Sequence, residues 1–239
     1  MRTFLAAALL AFTAFTATAQ KHVYEDLLVL FVDENYEKCL AKAENYTVND
    51  DTRKDPLPYL YMSMSLYEMS KLEEFNEDYP KASRDALKYA EKYRKKDKEA
   101  EFFANYEDYW ADLNVLAMGL AEIELSDEKW SRAKKYYDYM AGYYVENPGA
   151  WLMLANCQLK DNLAREAEET MKSFDAAMQA NPDLSRLPED QKKLLKFGMV
   201  TYADIMKEQG DRASAKSMMD KAKDLFADDE EFMMTYNEL

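Results

Sequence analysis

Cysteine, glycine, proline and histidine are all scarce in this chain of 239 residues, numbering 2, 5, 6 and 1. Each scarcity excludes something. Two cysteines cannot staple a small disulfide-dense domain, so a large apolar core must supply the stability. Few glycines and prolines exclude turn-rich β architectures. A single histidine, His22, leaves neither a histidine-based zinc site nor an imidazole base for a hydroxyl nucleophile. No P-loop, dinucleotide-binding fingerprint or nucleophile elbow occurs. The acidic clusters lack the central glycine and terminal glutamate that a calcium loop needs. No cofactor and no metal site is therefore expected.

Positive charge is also short. The chain carries 31 basic against 46 acidic residues, a net charge of −15. Such a balance argues against nucleic acid, whose backbone requires a basic footprint, and against anionic lipid. It suits a self-repelling protein with a basic partner. After the first twenty residues no run is long and apolar enough to cross a membrane, so no transmembrane anchor is expected beyond the leader.

That leader reads clearly. Met1-Arg2 is a short positive start, Phe4 to Phe15 is uncharged and mostly apolar, and Ala17-Thr18-Ala19 offers small residues for cleavage. Residues 1–19 are read as a secretory signal peptide, cut before Gln20. The expected destination is the periplasm or the extracellular space, because an exported chain with so few cysteines suits a bacterial envelope. Cys39 and Cys157 are expected to be separate buried residues in helix packing, without a bridge.

What remains, 20–239, is rich in strong helix formers. It also repeats itself. The stretches 151–174 and 201–226 share one shape: a bulky–small pair (Leu154-Ala155, Tyr202-Ala203), a polar turn (Asp161-Asn162, Gly210-Asp211), then a second helix. The second helices carry Ala167, Met171 and Phe174 in one copy and Ala215, Met219 and Ala222 in the other, spacings that place each trio on one face. Trp130, Ala133, Tyr137 and Met140 form a third copy. Tyr79, Ala82, Ala86 and Tyr89 form a fourth, and Tyr36, Cys39, Ala43 and Tyr46 a fifth. Ala133 to Ala167 is 34 residues, and so is Asn147-Pro148 to Asn181-Pro182.

These residues resemble a tetratricopeptide repeat protein. The resemblance implies an all-α fold, an α-solenoid of about five irregular helix-turn-helix repeats. Their approximate bounds are 23–46, 58–96, 98–146, 148–180 and 188–227, with a capping helix in 228–239 whose apolar residues are Phe232, Met233 and Tyr236. One hairpin leaves an apolar face bare, so each pair is expected to rest on its neighbour. Departures from the period are visible. "LEEFNED" is inserted after Lys71, and Ala82 to Ala133 spans 51 residues. The apolar series Phe103, Tyr106, Trp110, Leu113, Ala117, Leu120 and Ile123 predicts one helix of about 27 residues, roughly 40 Å long. "NPDLSRLPED" (181–190) reads as a linker, with Pro188-Glu189-Asp190 opening the next helix.

The family likeness further implies a concave groove lined by first helices, holding an extended peptide or a partner helix. By position the groove candidates are Leu60, Met64, Tyr67, Asn156, Leu159, Asp204 and Lys207. The expected role is a non-catalytic protein–protein adaptor or scaffold in the cell envelope. The alternative is a periplasmic protein that binds a glycan or small ligand on exposed Tyr and Trp rings, of which the chain has 18 and 3. Asp50-Asp51, Glu73-Glu74 and Asp228 to Glu231 are read as solvated surface, and the basic run 92–98 as a helix end.

Overall fold

The computed structural model describes residues 24–239. The expected signal peptide and His22 lie outside the described residues. Among those described there are eleven α-helices and no strand. They are α1 (Glu25–Val32), α2 (Tyr36–Val48), α3 (Pro56–Met69), α4 (Ala82–Lys96), α5 (Glu107–Ser126), α6 (Trp130–Tyr143), α7 (Pro148–Lys160), α8 (Ala164–Ala180), α9 (Glu189–Glu208), α10 (Arg212–Asp220) and α11 (Glu230–Asn237). No helix among the described residues is long and apolar enough to cross a membrane.

Consecutive helices pack in pairs: α1 with α2, α3 with α4, α5 with α6, α7 with α8, and α9 with α10. Further contacts join the pairs, as α2 packs on α3, α6 on both α4 and α7, and α9 on α7. The face expected of each second helix is the one buried. Ala133, Tyr137 and Met140 of α6 are buried, as are Ala167 and Phe174 of α8 and Ala215 and Met219 of α10.

Four of the five hairpins turn through the same hydrogen-bonded corner. One residue takes a left-handed conformation: Glu34 (φ 58°), Glu128 (φ 57°), Asn162 (φ 60°) and Gly210 (φ 80°). Its N–H donates to the carbonyl three residues back, and the next N–H donates five residues back, as Glu34 to Phe31 and Asn35 to Leu30. The same two bonds recur at Glu128-Lys129, Asn162-Leu163 and Gly210-Asp211. These close the last turn of the first helix in the Schellman manner and fix the direction in which the second departs. The α3–α4 connection is the exception, because the insertion after Lys71 replaces the corner with a 3₁₀ turn at Glu73–Phe75.

Helices α7 and α9 approach closely. A Cβ on Gly149 would lie 2.6 Å from the Leu195 backbone nitrogen, and one on Gly198 would meet Leu152 at 3.2 Å. Hydrogen alone fits at the first point. Across this seam the apolar interior divides into two clusters. One runs from Tyr24 to Cys157 and takes in Leu194; the other includes Leu152 and runs to Phe232. The capping helix α11 closes the second, with Phe232 buried and its ring 5.1 Å from that of Phe226. Asp229 starts α11 by accepting the Phe232 N–H at 3.0 Å. Both cysteines are buried and free.

Two expectations need correction. The long helix from Phe102 does not form; α5 begins at Glu107 and has 20 residues, about 30 Å. The cause is Asp97. Its carboxylate accepts the Tyr93 hydroxyl at 2.5 Å and the N–H groups of Glu101 and Phe102 at 2.8 and 3.1 Å. Ala100 meanwhile turns left-handed at φ 53°. The backbone donors of 101 and 102 are thus taken by a side chain, and 103–106 form only a 3₁₀ turn. The second correction is that α10 stops at Asp220, and residues 221–228 continue as turns rather than helix. Ala222 and Phe226 are still buried.

Candidate functional site

An aromatic stack forms a floor beneath one concavity, whose wall includes Tyr144. Trp110 of α5 lies parallel to Phe103 at 4.8 Å and to Tyr93 and Tyr143 at 5.5 and 5.9 Å. Its indole N–H donates to the Phe103 carbonyl at 2.9 Å, so the polar edge of a fully buried ring is satisfied. Tyr144 meets Phe103 edge-on at 4.8 Å. Together these rings hold α4, α5 and the end of α6 in a fixed arrangement.

From that floor a polar chain rises. The Tyr143 hydroxyl donates to Asn114 Oδ1 at 2.7 Å, and Asn114 Nδ2 donates to Asp190 Oδ2 at 2.7 Å. Tyr143 and Asn114 are buried. Burial drives the Tyr143 hydroxyl well above the ordinary tyrosine pKa, so it remains a neutral donor. The chain ties α6 to α5 and α5 to the first turn of α9.

Above it opens a cleft of about 380 Å³, with Glu107, Asp108, Asn114, Glu146, Asp190 and Gln191 among its lining residues. Tyr144, Asn181, Arg186 and the Leu187-Pro188 entry to α9 complete the wall. Asn181 is held by its Nδ2, which donates to the Glu146 and Ala177 carbonyls at 2.9 and 2.8 Å. Glu146 has Arg94 at 3.7 Å. Gln191 is 2% exposed, yet its Nε2 has no hydrogen-bond partner. Burial raises the pKa of Tyr144 while the neighbouring Gln191 amide pulls it back; no bond of acceptable geometry joins Nε2 to that hydroxyl. The cleft therefore presents carboxylate acceptors, and the Gln191 amide is enclosed behind its wall beside Tyr144. Among the described residues, no group of His, Cys, Asp and Glu is arranged to hold a metal ion.

A second feature leads away from the cleft along α5. Val115 and Ile123 are 62% and 65% exposed. Gly119 lies between them, where an added Cβ would meet nothing within 4 Å. Spacings of four put all three on one face, which continues toward Asp108 and Ala111 of the cleft. The helix contains Glu107, Asp108, Asp112, Glu122 and Glu124 and has no Lys or Arg.

The residues expected to line a groove do not share one surface. Leu60 and Met64 are buried in α3, and Asn156 is buried between α7 and α9. Their helices are covered on the sides where the sequence pattern left a face open, so these three pack the interior. Tyr67 is half-buried, edge-on to Tyr109 at 5.6 Å, with the Lys71 ammonium 4.4 Å from its ring centre. Leu159 packs on the second cluster. Asp204 is exposed, and Lys207 is bonded to Glu238 of the cap at 2.5 Å. The tryptophans share no cleft: Trp110 is buried, Trp130 lies under Lys160, and Trp151 donates to the Val145 carbonyl.

Sequence reasoning did not single out Asn114 or Gln191. The available signal was a polar residue breaking an apolar helical face: Asn114 sits between Leu113 and Ala117, and Gln191 falls on the face of Leu194 and Leu195. No family model, curated protein or solved structure matches this chain.

Proposed function

We propose that this protein is a non-catalytic adaptor of the cell envelope, a tetratricopeptide-like α-solenoid that holds a basic partner protein along α5. The observation that carries the reading is the open face of α5. Val115, Gly119 and Ile123 form an uncovered apolar strip, and every charged residue of the helix is acidic. An amphipathic helix with an apolar centre and lysine or arginine flanks is complementary to such a strip. Gly119 lets a partner backbone approach closely. The acidic cleft lies at the head of the same helix and extends the surface. Trp130 lies under Lys160 and Trp151 is bonded to the Val145 carbonyl, so the two do not form a shared stacking platform.

The test is a titration with a model helix of about five turns, carrying a leucine–alanine face and lysine flanks. Saturable binding is expected, with a loss of about tenfold or more for Val115→Glu with Ile123→Glu. An acidic-flanked analogue is expected not to bind. Equal binding of the basic helix to the native protein and the double variant, at unchanged helicity, removes the α5 assignment.

A further inference from the structure

We propose that the basic partner of α5 is a second copy of this chain: an exposed basic row on α4 of one molecule docks on the open face of α5 of the next, head to tail. The inference deepens the adaptor reading and rests on it, since it names the partner of that same face.

Charge is segregated on these two helices. The chain as a whole has 31 basic and 46 acidic residues, yet α4 carries six basic residues against Asp85 and Glu91. Both acids are already engaged, Asp85 by Arg84 at 3.5 Å and Glu91 by Lys95 at 2.5 Å. Lys88 and Lys92 rest instead over the Tyr89 ring, 5.8 and 4.7 Å from its centre. Arg84, Lys88, Lys92 and Lys95 recur at spacings of four, four and three, so they share one face of the helix. Arg84, Lys88 and Lys95 are exposed and Lys92 is half-buried. Desolvation, then the Lys88 and Lys96 ammoniums, hold the Lys92 pKa below the ordinary lysine value, and the nearby Asp85 and Glu91 only partly offset them. Positive charge is in local excess along this row.

The open face of α5 has a matching rhythm. Asp108, Asp112, Val115, Gly119 and Glu122 recur at spacings of four, three, four and three, and all are exposed, with Ile123 beside them. Two helices with one rise per residue can set carboxylates against ammoniums along their crossing, while the Tyr89 ring meets the apolar strip. The two rows cannot meet within one molecule. The buried faces of α4 and α5 join at the Tyr93–Trp110 stack, 5.5 Å between rings, and each row lies across its own helix from that stack. One copy therefore shows a basic face and an acidic, apolar face on different sides. An unrelated acidic protein matches the α4 row alone, and an unrelated basic helix matches α5 alone; a second copy matches both. The interface so formed is heterologous. Every added copy leaves one free face of each kind, and growth passes the dimer.

The test is the mass of the full chain in solution by sedimentation. Salt of about 0.15 M screens the repulsion between copies of net charge −15 beyond about 8 Å. A contact under about 1,200 Å² is weak, so the range followed is about 10 μM to about 1 mM. The weight-average mass of the native protein is expected to climb past two copies. Lys88→Gln with Lys92→Gln blocks the α4 row, and Val115→Lys with Ile123→Lys blocks the α5 face. Each pair is expected to weaken self-association about tenfold or more. Mixed, the two variants retain one good interface, the α4 row of the second on the α5 face of the first. They are expected to form a one-to-one complex that grows no further. Should the Lys92 change disturb helicity, Arg84→Gln with Lys88→Gln, both exposed, takes its place. Native protein that stays monomeric or stops at a dimer overturns the proposal. So do variants that self-associate like the native chain, or that fail to pair when mixed. The model helix is expected to compete with the second copy for α5. A monomeric native chain that binds the helix sinks the self-assembly and spares the adaptor. A self-associating chain that ignores the helix keeps the second copy and removes the outside partner.

Discussion

Asn156 on α7 donates its Nδ2 to the Gly198 carbonyl on α9 across 2.8 Å. The bond spans the seam between the two apolar clusters, and Gly149 lies on the same seam one helical stretch away. The two residues hold α7 and α9 together by different means. Asn156 supplies a buried polar clamp, and Gly149 permits near-contact of the backbones.

Substitution at either residue is expected to loosen that seam. Asn156→Ala removes one buried hydrogen bond and leaves a small void, at about 1–2 kcal/mol. Gly149→Ala places a methyl 2.6 Å from the Leu195 nitrogen, and backbone cannot swing aside as a side chain can. Overpacking of this kind costs about 1–3 kcal/mol. Urea midpoints of both variants are expected to fall. An unchanged midpoint for Gly149→Ala means that α7 and α9 stand further apart than described.

The recurrent corner makes the opposite prediction. Glu34 and Glu128 adopt left-handed backbone that their side chains disfavour, at about 1–2 kcal/mol each. Glycine removes that strain but adds freedom to the unfolded chain, so Glu34→Gly and Glu128→Gly are each expected to gain about 0.5–1 kcal/mol. Asn162→Gly gains less, because asparagine tolerates this region. Gly210→Ala loses stability, although open space surrounds its Cβ position. Thermal melting of the four variants reads the order directly, and a destabilised Glu128→Gly contradicts the corner.

This corner also explains what the sequence made legible. Gly210-Asp211 and Asp161-Asn162 were readable as turns from residue type alone. Glu34 and Glu128 hold the same geometry with a residue that carries no turn signal, and the pairs they join emerged only through the spacing of Ala133 and Tyr137 or Cys39 and Ala43. The apolar faces of second helices were legible because one period sets them all. The groove was not. Whether Asn156 faces a neighbour or an open surface depends on how far α7 closes on α9, which two glycines decide across some fifty residues of chain, and Leu60 is covered because α3 is flanked by both α2 and α4. The break at Asp97 was hidden for a similar reason: a carboxylate mid-sequence carries no mark that it will take the donors of 101 and 102.

Acid is expected to release the C-terminal cap before the rest. The Phe232 N–H, then the Lys196 ammonium at 2.9 Å, hold the Asp229 carboxyl below the usual range. The Ser214 hydroxyl and N–H do the same for Asp211 at the start of α10. A carboxyl with a lowered folded-state pKa stabilises the fold above its unfolded value, near 4, and ceases to do so as pH falls through the lowered one. Protection of the α10 and α11 amides is therefore expected to fall between pH 4 and pH 2 while α3 and α4 stay protected. Asp229→Asn keeps an acceptor for the Phe232 N–H and discards the titration. Its cap is expected to be weaker at neutral pH and to respond less to acid. An identical acid response in Asp229→Asn assigns the effect elsewhere.

The Tyr143–Asn114–Asp190 chain offers a last test, one that separates a structural tie from a mere arrangement. Tyr143→Phe strands the Asn114 Oδ1 in the interior, and Asn114→Leu strands the Tyr143 hydroxyl. Each single change leaves one buried polar atom unpaired and is expected to cost about 1–3 kcal/mol. The double variant Tyr143→Phe with Asn114→Leu removes both partners and leaves neither stranded within the interior. Asp190 retains the cleft as its source of water. The double variant is accordingly expected to be more stable than the sum of the singles predicts, by about 1 kcal/mol or more. Strict additivity in urea unfolding means that the two side chains do not meet, and the cleft then loses the strut that sets α5 against α9.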